Sequence, residues 1–313
     1  MPRSRFTMSL RPGLLLLIGT GLLWGTIGIC GRLIFDRTDL DAMEISWMRT
    51  LFAAPACFLV GYRMLGRGLF DVRRRDVFFV AALAIAIYGS QFLYLISVSE
   101  LGVSVSTLLT LCAIPVLVAL FSVVVQGEHL SRIVVIALLG AVAGTALLTL
   151  GEGGSAGDGA VALGVGTGLF SAALASVYTI GSRSFVQRYP PITALALGFP
   201  IALILFAPVM RGGHINTEIP ISAWLLLIYM GIGTQGIAYL FYQWGLKTES
   251  ATVASIVTLL EPVLAAVLAW IIFGERLGSL GFVGAGLLIV GLGLISFSPP
   301  PVSVREEAPV ASL

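Results

Sequence analysis

Ten stretches of this chain run for about 20 residues with almost no charge, the length a helix needs to cross a hydrocarbon core of ~30 Å. Read between charged or Gly/Pro/Asp clusters, they cover approximately residues 13–35, 43–62, 77–98, 103–125, 132–150, 159–182, 192–210, 222–245, 251–273 and 278–297. Lipid offers no hydrogen-bond partner to backbone N–H and C=O groups, so runs of this kind fold as helices. Composition agrees. The 313 residues are 58% hydrophobic and 11% charged, whereas a soluble domain carries about 25% charged residues. Too few charges exist to coat a water-soluble globule. The expected fold is an all-α integral membrane protein of ten transmembrane helices, with little chain left for a soluble domain.

Loop charge sets the expected orientation, because cytoplasmic loops collect Lys and Arg. The N-terminal segment has Arg3, Arg5 and Arg11, and the second loop has Arg63, Arg67, Arg73, Arg74 and Arg75. The remaining even-numbered loops and the C-terminal segment add Arg132, Arg183, Arg188, Lys247 and Arg305. The first and fifth loops are acidic or glycine-rich instead, and Arg211 and Arg276 are the exceptions to the pattern. Both termini are therefore expected in the cytoplasm. Arg3 and Arg5 ahead of Leu14–Leu17 imitate a signal peptide, but the apolar stretch runs on to about Phe35. It reads as an uncleaved first helix.

A short cassette then appears twice, 147 residues apart. Pro115 is followed twelve residues later by Gly127-Glu128-His129-Leu130, and Pro262 twelve residues later by Gly274-Glu275-Arg276-Leu277. Each copy closes one apolar run and leads into the next. A repeat of five helices has an odd number of crossings, so its second copy enters the membrane from the opposite side. The expectation is two inverted five-helix repeats about an axis in the membrane plane, the geometry of alternating access. The corresponding division is residues 1–12 as cytoplasmic N-tail, 13–150 and 159–297 as the repeats, 151–158 as an extracytoplasmic linker, and 298–313 as a disordered cytoplasmic tail.

Within these apolar helices the polar residues are few. Glu261 stands about halfway along the ninth run, where a carboxylate is costly unless it pairs, faces water or is protonated. The equivalent position in the first repeat is Ile114, so the repeat itself does not demand an acid there. Glu261 reads as an ammonium anchor, a proton-accepting switch or an interhelical clasp. Pro115 and Pro262 each free a carbonyl one turn back and are expected to kink their helices, beside a cavity or simply for packing. Gln235, Tyr239 and Tyr242 form one polar-aromatic stripe, and Tyr88, Gln91 and Tyr94 another. Thr258 precedes Glu261 by one turn. Such stripes suit a pathway for a small polar or aromatic solute, or equally interface belts and structural clasps; Tyr94 and Tyr242, near helix ends, fit the belt. Arg49, two turns into the second run, either snorkels or binds an anionic group, and Arg32 snorkels. Trp24 and Thr20 share a face of the first helix. Small-residue faces, among them Gly164, Gly168, Ala172 and Ser176, read as close helix contacts.

The same inventory excludes several functions. Net charge is +2, which predicts no nucleic-acid partner. Cys30, Cys57 and Cys112 lie within apolar runs without paired spacing and read as small buried hydrophobes. His129 and His214 are too few for a histidine metal site. No nucleotide-binding P-loop and no HExxH is present, so neither an enzyme nor a cofactor or metal is expected.

The doubled cassette, Leu22-Leu23-Trp24-Gly25, Arg49 and Leu259-Leu260-Glu261-Pro262 resemble the drug/metabolite transporter superfamily, EamA type, over about residues 13–297. The resemblance implies ten helices in two inverted repeats around a central cavity, with the fifth and tenth helices peripheral. It implies roles for Trp24, Arg49 and Glu261. The sixth helix departs from the pattern, with Ala175-Ser176-Val177-Tyr178 where Trp-Gly would repeat, and the seventh has no counterpart of Arg49. The expected activity is a secondary transporter in a bacterial inner membrane, exporting small polar metabolites such as amino acids. Trp24, Arg49, Tyr88, Gln91, Gln235, Tyr239, Thr258 and Glu261 would be its solute-binding residues. The alternatives are a nucleotide-sugar or lipid-precursor carrier and, from another class, a non-transporting membrane scaffold or sensor. The expected partners are a small solute and membrane lipid, with a second copy of the chain and a proton left open.

Overall fold

The computed structural model describes residues 11–101, 103–126, 130–150, 161–210, 218–274 and 279–296. Among the described residues the regular structure is entirely helical. The helices are α1 (Pro12–Trp24), α2 (Ile27–Phe35), α3 (Ala42–Leu65), α4 (Arg74–Leu101), α5 (Val103–Phe121), α6 (Arg132–Leu150), α7 (Val161–Val186), α8 (Pro191–Met210), α9 (Ile221–Tyr229), α10 (Ala238–Thr248), α11 (Ala251–Val257), α12 (Leu260–Phe273) and α13 (Ser279–Ser296). A short 3-10 turn, Gly66–Phe70, follows α3. A π turn, Ser122–Gln126, follows α5, and a longer π segment, Met230–Ile237, joins α9 to α10. By length and composition seven helical stretches suffice to cross a membrane, and three further apolar helices are shorter among the described residues. The expected N-terminal tail (apart from its last residues), the 151–158 linker, the C-terminal tail, and Glu128 and Glu275 of the cassettes lie outside the described residues.

Local chemistry explains the ends that matter. Asp41 caps α3, accepting hydrogen bonds from the N–H groups of Met43 (2.8 Å) and Glu44 (2.7 Å), while the Glu44 carboxylate takes the Asp41 N–H at 2.8 Å. This reciprocal pair satisfies donors that a helix start leaves open. Ser250 caps α11 through the Val253 N–H at 3.1 Å. At the other end of that span, Gly274 closes α12 with φ +71°. A side chain would clash in that left-handed conformation. The glycine of the second cassette is thus a helix stop.

The packing pairs helices far apart in sequence. α6 lies against α13, α3 against α8, α4 against α7, and α1 against α10. α5 packs on α7 and α6, while α12 packs on α1 and α13. Small residues allow the approach. A methyl added at Gly168 would stand 2.8 Å from Leu109 Cδ2 and from Ser97 Oγ. Ala172 is fully buried, and Ser176 Oγ donates to the Ile114 carbonyl at 3.3 Å. The largest apolar core gathers Leu14, Leu17, Leu83, Tyr178, Tyr242 and Val257. Outward faces are studded with exposed Val, Ile, Leu and Phe, such as Phe78, Val124 and Ile204.

Candidate functional site

Among the described residues, three interrupted helices meet. The first interruption separates α1 from α2 at Gly25–Thr26, the second is the π segment, and the third separates α11 from α12 at Thr258–Leu259. Threonine hydroxyls hold the two breaks. Thr26 Oγ1 donates to the Leu23 carbonyl (2.7 Å) and Thr258 Oγ1 to the Ser255 carbonyl (3.0 Å). A side chain bonding to its own backbone competes with the helical ladder. The Thr258 carbonyl, which Pro262 cannot engage, instead accepts the Glu261 N–H at 2.9 Å. The helical run is continuous through Pro115, by contrast, and departs from α-geometry only at the π turn beyond Phe121. The two prolines at matching repeat positions therefore sit in different local structures.

The interruptions touch one another directly. A methyl on Gly25 would lie 2.8 Å from the Glu261 carbonyl oxygen, and one on Gly21 would lie 3.4 Å from that of Val257. Trp24 Nε1 donates to the Thr234 carbonyl in the π segment at 3.1 Å, and Thr20 Oγ1 to the Ala238 carbonyl at 3.1 Å. A methyl on Gly231 would lie 2.5 Å from the Arg49 carbonyl oxygen. Insertions of a π segment commonly mark functional positions, because they re-aim side chains without ending a helix.

Here the extra residue delivers Gln235 into a buried polar cluster. Gln235 Nε2 donates to Thr50 Oγ1 (2.7 Å) and to the Tyr88 hydroxyl (2.5 Å), and those two hydroxyls share a hydrogen bond of 2.7 Å. Gln235 Oε1 and Arg49 Nε are buried and have no hydrogen-bond partner among the described residues. Arg49 and Glu261 sense each other's charge, and both sense Tyr239, yet no ion pair within 4.0 Å joins them among the described residues. Aromatic rings form the walls. The Trp24 ring centroid lies 5.0 Å from that of Tyr239 and 5.4 Å from that of Tyr242, while Tyr239 also meets Tyr178 and Phe199. The site therefore offers one cation, one half-buried carboxylate, an amide acceptor and a set of rings.

Trp24, Arg49, Tyr88, Gln235, Tyr239 and Glu261 are brought together. Thr258 contributes to the break through its hydroxyl. Gln91, half-buried one turn beyond Tyr88, makes no hydrogen bond among the described residues. Tyr242 is not a belt residue: it is buried and its hydroxyl lies 2.8 Å from Thr179 Oγ1. Packing against α7 takes it inward. Arg32 places its guanidinium 4.0 Å over the Phe273 ring. Sequence reading missed Thr50 and Gln243, although Thr50 adjoins Arg49 and Gln243 extends the Gln235–Tyr239 spacing by one more turn.

The end of the bundle that carries the basic loops is tied by polar contacts. Arg11 pairs with Glu249 at 2.9 Å, joining the start of α1 to the end of α10. Gln187, just past α7, donates to the carbonyls of Leu246 (3.4 Å) and Lys247 (3.1 Å). Arg188 and the Tyr189 hydroxyl bind Asp76 of α4 at 3.3 and 2.7 Å. Burial pushes the Glu249 carboxyl up, while Arg11 and Arg183 oppose that shift. Beyond this end α11 is buried at every residue, whereas Leu260 to Ala265 of α12 are half-buried.

The family model described as the EamA-like transporter family matches residues 11–150 and 162–297. An uncharacterized transporter of Clostridium kluyveri is 23% identical over 300 residues, covering 92% of this chain and 94% of that protein. An uncharacterized inner membrane transporter of Salmonella typhimurium, YicL, is 23% identical, with coverages of 92% and 96%. The aromatic amino acid exporter YddG of Ancylobacter novellus is 32% identical over 186 residues, covering 56% of this chain and 61% of that protein. A crystal structure aligns with a TM-score of 0.79 at 20% identity, over 92% of this chain and 97% of the other, which establishes a shared fold.

Proposed function

The chain belongs to the EamA-like transporter family, and on that premise we propose that this multi-pass membrane protein is a secondary carrier exporting small polar metabolites, amino acids or their relatives, by alternating access. One observation carries the reading: Arg49 and the Glu261 carboxylate face one aromatic-walled site with no ion pair between them among the described residues. A buried charge left without its partner is expensive. A zwitterion relieves both costs, its carboxylate on Arg49 and its ammonium toward Glu261 and Gln235 Oε1. Trp24 and Tyr239 supply ring surface for an apolar or aromatic side chain. The name of the Ancylobacter relative supports that solute class.

Ten spans in two inverted repeats are part of the proposal. Counting α1–α2, α9–α10 and α11–α12 as single spans leaves ten. A two-fold relation that sends each span to the one five later pairs the observed contacts: α4 on α7 with α10 on α1, and α5 on α7 with α12 on α1. It maps α3 on α8 and α6 on α13 onto themselves. With loop charge the termini face the cytoplasm, and the Salmonella relative's name supports the inner membrane. The Arg11–Glu249, Gln187 and Asp76 contacts then close the cytoplasmic end, and the half-buried start of α12 faces the outer side. Export requires those contacts to part while the outer side closes.

The test is flux in proteoliposomes across amino acids, nucleotide sugars and lipid precursors, with and without a pH gradient. Wild type should move amino acids, and Glu261→Gln and Gln235→Ala should lose that flux while folding normally. A wild type that moves none of the panel supports a scaffold or sensor, and wild-type flux in Glu261→Gln removes the carboxylate from the mechanism.

A further inference from the structure

A cavity of about 20 Å³ lies between α4, α7, α8 and α10, with Tyr88, Tyr178, Ser182, Phe199 and Gln243 among its lining residues. That volume accepts about one water molecule. Its position follows from α10. Gln243 stands two turns beyond Gln235, about 12 Å along the helix axis, toward the end closed by Arg11 and Glu249. The cavity is therefore separate from the Arg49–Glu261 site yet shares walls with it. Tyr88 lines the cavity and holds Gln235 and Thr50 through its hydroxyl. Tyr178 and Phe199 line it and pack on Tyr239 at ring distances of 6.2 and 5.8 Å.

Gln243 is fully buried. Its Nε2 donates to the Tyr178 hydroxyl at 3.1 Å and to Ser182 Oγ at 3.3 Å, and its Oε1 has no partner among the described residues. Exchanging amide nitrogen and oxygen leaves the same shortfall, since only one side of the amide meets Tyr178 and Ser182. An interhelical clasp would satisfy both sides of the amide, because an unmet buried polar group costs more than its bond returns. Here Gln243 also lines a space large enough for a polar atom.

We propose that this cavity is a second, inner solute subsite, in which Gln243, oriented by Tyr178 and Ser182, hydrogen-bonds the polar group of a small solute passing between the Arg49–Glu261 site and the cytoplasmic end. A water molecule holds the position while the cytoplasmic end is closed. The inference rests on the carrier reading and adds to it a binding residue on the inner half of the path.

Labelled L-phenylalanine is the probe. Gln243→Leu should reduce its flux through proteoliposomes about tenfold, the equivalent of one lost hydrogen bond. Binding from the outer side, followed by tryptophan fluorescence, should stay at the wild-type level. Wild-type flux in Gln243→Leu overturns the subsite, as does a loss of outer-side binding that matches the loss of flux. If Gln243→Leu does not fold, Ser182→Ala is read by the same two measurements. An experimental structure resolving ordered solvent should show a water within hydrogen-bond distance of the Gln243 amide, and dry density there also overturns the proposal. A wild type inactive toward every solute refutes the carrier reading instead, so the two failures are distinct.

Discussion

Gly231→Ala tests whether the π segment positions the site. The added methyl would stand 2.5 Å from the Arg49 carbonyl oxygen, 2.7 Å from Phe52 Cβ and 3.4 Å from the Ala53 nitrogen. Ordinary contact begins at about 3.5 Å, so α3 and the π segment must separate by roughly 1 Å. Two of the three obstacles are backbone atoms, and no side-chain rotation relieves them. Overpacking of this kind costs about 1–3 kcal/mol. The same displacement stretches the 2.7 Å bond between Gln235 and Thr50 to a length at which it no longer holds. The expected outcome is a lower unfolding temperature in detergent together with a loss of amino-acid flux. Gly166→Ala is the control, since nothing lies within 4 Å of its added methyl; it should leave both readouts near wild type. A Gly231→Ala protein that melts and transports like wild type would show that the close approach of α3 is not what aligns Arg49, Thr50 and Gln235.

Further outcomes follow from the polar cluster and the closed end. Tyr88→Phe deletes one hydroxyl while Thr50 still holds Gln235, so it should cost about 1 kcal/mol of stability; the double variant with Thr50→Val should lose more than the sum of the single changes, and additive losses in thermal melts would show that the three groups do not act as a unit. Glu249 has its pKa raised above the ordinary 4.5 by burial, which outweighs Arg11 and Arg183. A raised pKa means the packed state binds the proton more tightly, so its stability is fullest below the ordinary value and declines as pH rises through the folded one. Melting temperature should therefore fall across that window in wild type and fall less in Glu249→Gln, and equal slopes would refute the assignment. Asp76→Asn weakens the contacts of Arg188 and Tyr189 with α4; an alkylating reagent added from the cytoplasmic side should label a cysteine introduced at Ser182 faster in this variant, and unchanged labelling would mean that the pair does not hold the end shut.

Much of the architecture is legible in the chain, and the reason is local. The free energy of moving a segment into lipid is nearly a sum over its own residues. An apolar run such as residues 251–273 therefore needs no knowledge of its neighbours to be recognised. The same locality made Glu261, Arg49 and Gln235 visible, because a polar residue inside such a run stands out without any partner being known. The interruptions were less legible. Pro262 pointed toward one of them, but Gly25–Thr26 and the π segment carry no proline, and the helix continues through Pro115. Whether a helix breaks depends on what its freed carbonyls and hydroxyls find on neighbouring helices.

Residue order alone specifies the membrane character, the succession of apolar helices and the small set of polar side chains available for a site. Which of them meet is set by the packing of the helices. Trp24 reaches Thr234 across 210 positions of chain and Gln235 reaches Tyr88 across 147, while Gln91, on the same helix as Tyr88, joins no hydrogen bond among the described residues. Burial in lipid is specified segment by segment, but a hydrogen bond between distant helices depends on the geometry of both, and no local pattern in either one encodes it.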